Sequence, residues 1–90
     1  MIKRNQEKNK FFLKFGQDLA FLKYKDLGEN KIEIFQTYVP RKQRGQGVAG
    51  KLAQAALEFA QTHGQKVYPS CSYVADFMDR HEKFRSLKIL

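Results

Sequence analysis

Three glycines and three cations fall within ten residues, Arg41-Lys42-Gln43-Arg44-Gly45-Gln46-Gly47-Val48-Ala49-Gly50, directly ahead of a stretch with helical apolar spacing. Small residues let backbone approach an anion, the first N–H groups of a helix lack intrahelical partners, and the helix dipole favours negative charge there. The chemistry this predicts is a grip on phosphate. Arg44 suits bidentate contact with a pyrophosphate or ribose phosphate, and Arg41 and Lys42 add charge. A cation beside a helix N-terminus is opposed by the dipole unless an anion visits, which favours a functional Arg44 over a merely solvated basic loop.

Glycine and charge do not choose the ligand, because the run from Arg44 to Lys51 satisfies three phosphate-site patterns. Gly45 to Lys51 has the spacing of a nucleoside triphosphatase loop, yet Leu52 stands where a serine or threonine should hold magnesium. That loop also needs a larger parallel sheet and a second acidic magnesium site, for which ninety residues leave no room. Gly45, Gly47 and Gly50 fit a dinucleotide fingerprint, which calls for an acidic residue about 20 positions further on. Pro69-Ser70-Cys71 occupies that place, and Arg41, Lys42 and Arg44 interrupt the passage from strand to glycines. The third pattern, Arg-x-x-Gly-x-Ala, is carried by Arg44, Gly47 and Ala49, with Val39 ahead of it at a strand end.

Cys71 is the second candidate for chemistry. It lies between a strand end and a helix start, where nearby N–H groups favour a thiolate, so it could act as a nucleophile, line a pocket or fill core space. The only cysteine of the chain, it cannot build a disulfide framework or a multi-cysteine zinc site. His63 and His81 fall near helix ends, where partial positive charge is welcome, and neither has a metal partner in view. No metal site is expected.

These residues need elements to hold them. Phe11, Leu13 and Phe15 alternate with Phe12 and Lys14, a half-buried strand, and Gly16-Gln17-Asp18 ends it. Strands over about 19–25 and 31–39, joined by Leu27-Gly28-Glu29-Asn30, complete a three-stranded antiparallel meander. In the last of these Ile32 and Ile34 share a face with Gln36 and Tyr38, so apolar character changes faces at Phe35, which predicts a bulge or a strand whose C-terminal half lines a site. Val48, Leu52, Ala56, Phe59 and Ala60 define a helix ending near His63, with Gly64 as its cap. A short strand over 66–69, parallel to the third because a helix intervenes, closes a βαβ unit. Ser70 or Ser72 caps a last helix over about 73–81, and the tail through Phe84 and Leu87 packs back.

Length bounds the whole. Ninety residues make a single domain, 1–90, with residues 1–8 frayed, and 42% hydrophobic residues with eight phenylalanines suffice for a core. No apolar run reaches the roughly 20 residues of a membrane span, and no signal-peptide segment follows the charged start, so a cytoplasmic protein without membrane partners is expected. The net charge of +8 favours anionic partners without distinguishing nucleic acid from a phosphorylated cofactor.

The strand ending in Val39-Pro40, the run Arg44-Gly45-Gln46-Gly47-Val48-Ala49 and the helix after it resemble the acetyl-CoA-binding core of the GNAT superfamily of N-acetyltransferases. Thr37-Tyr38-Val39-Pro40 and Pro69-Ser70-Cys71-Ser72-Tyr73 look like a subgroup of very small, single-domain members from bacteria and plants. The likeness runs from about Phe11 to Leu87. It implies an α+β, truncated GNAT-like fold: the meander, the βαβ unit and a C-terminal helix. It also implies acetyl-CoA as acyl donor, gripped by Arg41, Lys42, Arg44, Gly45, Gln46, Gly47, Val48, Ala49 and Gly50, with backbone near Tyr38 and Val39 receiving the pantetheine arm. Two departures stand out. The subgroup often has histidine where this chain has Gln36, and the superfamily often offers a tyrosine acid on the last helix, near which this chain has Met78 and Asp79.

The implied reaction is direct attack of an amine on the thioester carbonyl, which needs alignment of two substrates and stabilisation of an oxyanion. Cys71 is the candidate catalytic side chain. The acceptor is a primary amine of a small molecule, a protein lysine or a protein N-terminus. Full GNAT enzymes shape the acceptor side with additional helices and strands, so here the site is open or completed by a second subunit, as in a homodimer. Two other classes stay in view. Gln36 and the missing tyrosine fit a CoA-binding module with little or no catalysis. The charge and the aromatic residues interleaved with lysine in Phe11 to Lys25 fit a basic nucleic-acid-binding domain, although any amphipathic basic strand has that pattern.

Overall fold

The computed structural model describes residues 2–89. Five strands form one sheet: β1 (Lys3–Asn5), β2 (Lys10–Phe15), β3 (Asp18–Gly28), β4 (Lys31–Tyr38) and β5 (Lys66–Pro69). A 3-10 turn over Arg41–Gln43 and helix α1 (Val48–Thr62) separate β4 from β5, and α2 (Ser72–Arg80) and α3 (Glu82–Arg85) follow. The strands lie in chain order, antiparallel from β1 to β4, with β5 parallel to β4. This is the expected α+β arrangement with one strand more. The segment expected to fray contributes β1, pairing Arg4 with Phe11 and Asn5 with Lys10, so the meander has four strands. Arg4 explains the difference: its guanidinium lies 4.3 Å from the centre of the Phe59 ring and donates to the Tyr24 hydroxyl at 3.1 Å. A charged side chain thus ties the first strand to α1 and β3 while its stem covers apolar surface.

Alternation on the strands directs Phe11, Ala20, Leu22, Tyr24, Ile32, Ile34 and Val67 to one face, where all are buried. Helix α1 lays Val48, Leu52, Ala53, Ala56, Leu57 and Ala60 against that face, the alanines allowing close approach. Val74, Phe77 and Met78 of α2 join the same core beside α1. The helices therefore cover one side of the sheet only. Gly64, at φ 66°, ends α1 with the Gln65 N–H donating to Ala60 O at 2.8 Å and the Gly64 N–H to Gln61 O at 3.3 Å, which satisfies two orphan carbonyls.

The bulge falls where the pattern places it. Lys23 pairs with Gln36 but Tyr24 pairs with Ile34, which leaves Phe35 as the additional residue. The bulge returns Thr37 to the helix side, opposite buried Leu22, and sends Gln36 and Tyr38 to the open side. Beyond it β4 and β5 part. Their last pair is Ile34 with Pro69, which has no N–H to continue a ladder, and the Cys71 N–H closes the fork on Ile34 O at 3.1 Å. From Gln36 to Val39, β4 therefore has no strand on the β5 side.

At the C-terminus the tail forms more structure than a packed coil. Phe84 of α3 is fully buried, and Val67 exchanges backbone hydrogen bonds with Leu87 O (2.7 Å) and the Ile89 N–H (2.8 Å), so the tail runs beside β5. Among the described residues no helix is long and apolar enough to cross a membrane.

Candidate functional site

The basic glycine loop wraps the start of α1. Pro40 is buried and launches the 3-10 turn, in which the Gln43 N–H donates to Pro40 O at 2.9 Å. Gly45 and Gly47 then take φ values of 80° and 77°, a left-handed backbone that side chains with Cβ avoid. Gly47 is the N-cap of α1 and has no side chain to satisfy the helix. The first intrahelical bond runs from the Lys51 N–H to Gly47 O at 3.1 Å, so the N–H groups of Val48, Ala49 and Gly50 precede the hydrogen-bond ladder. The first turn holds no acidic residue to offset its dipole. Sequence and backbone together leave a concentrated, uncompensated positive end.

A cleft of about 260 Å³ opens there. Val39, Arg44, Gly45, Gly47, Val48, Ala49 and Gly50 line it, together with Gln43 and Tyr73. Arg41, Lys42 and Gln46 are exposed on the rim of the loop and do not line the cleft. Tyr38 is 42% exposed and packs on Phe21 across the open face, with ring centres 5.4 Å apart. Arg44 does more than carry charge: its Nε donates to Val39 O at 2.9 Å, binding the loop to the end of β4 and leaving both terminal nitrogens available. The Gln43 amide oxygen is buried without a hydrogen-bond partner among the described residues.

Tyr73, to which the sequence pattern assigned no role in the site, stands on the wall of the cleft. It stands in the first turn of α2, and a Cβ added to Gly50 would lie 3.4 Å from its hydroxyl, so that glycine permits α1 to start against it. Burial raises the Tyr73 pKa above the ordinary tyrosine value; Arg80 opposes the rise, and Asp76 and Cys71 add to it. The hydroxyl thus keeps its proton through the neutral range. The signal present in the sequence was Tyr73 itself, the last residue of the run Pro69-Ser70-Cys71-Ser72-Tyr73. The tyrosine of α2 stands in its first turn, and not at Met78 or Asp79, where the family resemblance implied one.

Cys71 stands at the fork and not on the wall of the cleft. It is the N-cap of α2, where a capping serine was expected, and makes no side-chain cap. Its Sγ lies 3.6 Å from Thr37 Oγ1. Ser70 turns away to donate to Glu33 Oε2 at 2.7 Å. Neither histidine lines the cleft, and each ring stacks on a phenylalanine four residues earlier: His63 on Phe59 at 4.0 Å and His81 on Phe77 at 3.9 Å.

A four-stranded antiparallel meander, a loop-first helix and a parallel strand splayed from β4 define an α+β domain built on one mixed sheet. The model of the GCN5-related N-acetyl-transferase family matches residues 10–87, and the chain belongs to that family. Protein NATD1 of Mus musculus is 28% identical over 79 residues, covering 86% of this chain and 72% of the mouse protein. NATD1 of Homo sapiens is 34% identical over 61 residues, covering 68% of this chain and 54% of the human protein. The solution structure of a GCN5-like protein from Staphylococcus aureus superposes with a TM-score of 0.79 at 28% identity, over 99% of this chain and 87% of the other.

Proposed function

We propose that the chain is an acetyl-CoA-dependent N-acetyltransferase that passes an acyl group to a primary amine by direct attack on the thioester. The observation that carries this is the uncapped start of α1, with two left-handed glycines and Arg44, opening onto the fork between β4 and β5. The pyrophosphate fits the N–H groups of Val48, Ala49 and Gly50 and the free nitrogens of Arg44, with Arg41 and Lys42 neutralising charge from the rim. The pantetheine arm fits the fork like an added strand against Tyr38 and Val39, and its amides offer the Gln43 oxygen a donor.

The thioester then lies near Tyr73 and the Cys71–Thr37 pair. A backbone N–H of β4 facing the fork polarises the thioester carbonyl. The amine forms the new C–N bond, the C–S bond breaks, the amine proton passes to solvent, and the departing sulfur takes a proton from the Tyr73 hydroxyl, which solvent then reprotonates. Cys71 and Thr37 shape the pocket for that sulfur.

Release of free CoA thiol from acetyl-CoA in the presence of a primary amine tests the proposal through two variants. Tyr73→Phe is expected to lower kcat by about 10²-fold, the usual worth of a positioned proton donor, while acetyl-CoA still stabilises the fold. Cys71→Ala is expected to keep turnover to within about tenfold, because direct attack needs no acyl-enzyme. A Cys71→Ala protein that binds acetyl-CoA but transfers nothing would replace direct attack with a covalent route. A wild-type protein that binds without turnover with any amine would make it a CoA-binding module.

A further inference from the structure

Because α1, α2 and α3 all pack on one side, none of the described helices covers the other face of the sheet. Pairing registers place Lys3, Lys10, Lys14, Lys23 and Lys25 on it, against one carboxylate among the described strand residues, Glu33, which already accepts from Ser70. Between the lysines lie Phe12, Phe21, Phe35 and Tyr38, of which Phe35 is 36% and Tyr38 42% exposed. The ammonium groups sit over the rings: Lys10 at 6.0 Å from Phe12 and 5.9 Å from Phe21, Lys23 at 5.1 Å from Phe21, and Lys25 at 5.1 Å from Phe35. Tyr38 makes this face continuous with the fork, since its ring packs on Phe21 while its backbone borders the gap between β4 and β5.

We infer that this face docks the acceptor, and that the acceptor is an acidic polypeptide presenting a lysine or its N-terminus to the fork; the acceptor role, though not the docking, rests on the transferase reading. Charge decides the class. A free polyamine or a lysine-rich peptide would bring cations to a field of lysines, so the amine must arrive on an anionic carrier. A second copy would set lysine against lysine, which costs energy at an isologous contact. Stacking of nucleic-acid bases would require the ammonium groups to leave the rings they cover, whereas carboxylates can meet them where they are. The exocyclic amines of bases are also poor nucleophiles toward a thioester.

The test is fluorescence anisotropy with four probes: a single-lysine peptide flanked by glutamate and aspartate, the same peptide flanked by glycine and serine, an arginine-flanked version, and a single-stranded oligouridylate. The acidic peptide is expected to bind about tenfold or more tighter than the neutral one at low salt, with the gap closing as salt screens the charges. K10E/K23E/K25E is expected to remove that preference while keeping thermal stabilisation by acetyl-CoA, which shows that the variant is folded. Equal affinity for neutral and acidic peptides overturns the inference, as does tighter binding of the oligouridylate. So does unchanged acidic-peptide binding by K10E/K23E/K25E. Acetyl-CoA stabilisation, read without peptide, reports the donor site separately: its loss with acidic-peptide binding intact rejects the donor reading and leaves the docking face standing.

Discussion

Gly47→Val is expected to weaken acetyl-CoA binding by about 100-fold or more, enough to abolish transfer at ordinary donor concentrations, because it strikes the anion grip at its narrowest point. Gly47 holds φ 77° at the N-cap of α1, where a residue with Cβ costs about 1–2 kcal/mol and a β-branched one more. No protein atom lies within 4 Å of the position its Cβ would take, so the valine meets no core. It meets the cleft, of which Gly47 is a wall. Gly16→Val supplies the control: Gly16 has φ 61° and equally open surroundings in the β2–β3 turn, and it does not line the cleft. Both variants should lose similar stability by denaturation, and only Gly47→Val should lose the ligand by calorimetric titration. Retention of full affinity by Gly47→Val would mean that phosphate does not lie against this backbone.

Phe84→Ala is expected to destabilise the domain by about 3–5 kcal/mol, the usual cost of a buried Phe→Ala truncation. For a chain this small, whose total stability is on the order of 5–15 kcal/mol, little would remain. Phe84 has no exposed surface and faces Phe77 of α2 at 6.4 Å, so its removal opens a void between α2, α3 and the core. The tail it anchors then loses purchase on β5, where Leu87 O and the Ile89 N–H bond to Val67. Urea denaturation reads the effect directly. A loss below about 1 kcal/mol would show that α3 is an appendage rather than part of the core.

How much of this was legible in the sequence follows from the range of the forces involved. Local signals were sufficient where the determinant is local. The period-two pattern of β2, the apolar spacing of α1, Gly64 as its cap and the change of faces at Phe35 all reappear. The bulge was legible because the sheet has one buried face, so a reversal of apolar character needs an additional residue. What escaped depends on distant partners. Strand β1 has a polar, charged sequence and exists because Arg4 finds Phe59 and Tyr24, which no pattern within residues 1–8 reveals. The caps of α2 were misplaced because Cys71 is set by the Ile34 carbonyl across the fork rather than by its own side chain.

The candidate site divides the same way. Glycines with positive φ and a helix start are local properties, and Gly45, Gly47 and Gly50 stand as the loop pattern requires. Arg44 was legible as a cation but not as a clasp on Val39 O, which takes the fold to bring about. Tyr73 enters the cleft only because α2 crosses the start of α1 at Gly50. The open lysine-bearing face was partly visible in Phe11 to Lys25, yet only the one-sided packing of the helices separates Phe12 and Phe21, left open, from Phe11 and Tyr24, which are core.

We propose above all that the loop from Arg41 to Gly50 grips the pyrophosphate of acetyl-CoA. Thermal unfolding of the chain with acetyl-CoA, ATP and NAD in parallel tests it most directly, because a ligand stabilises the folded state by about 2.7 kcal/mol at a hundredfold excess over its Kd. For a domain of this size that corresponds to a rise in Tm of roughly 10–20 °C. The expected result is a saturable rise with acetyl-CoA that far exceeds any rise with ATP or NAD. No rise with acetyl-CoA, or an equal rise with all three, would contradict it.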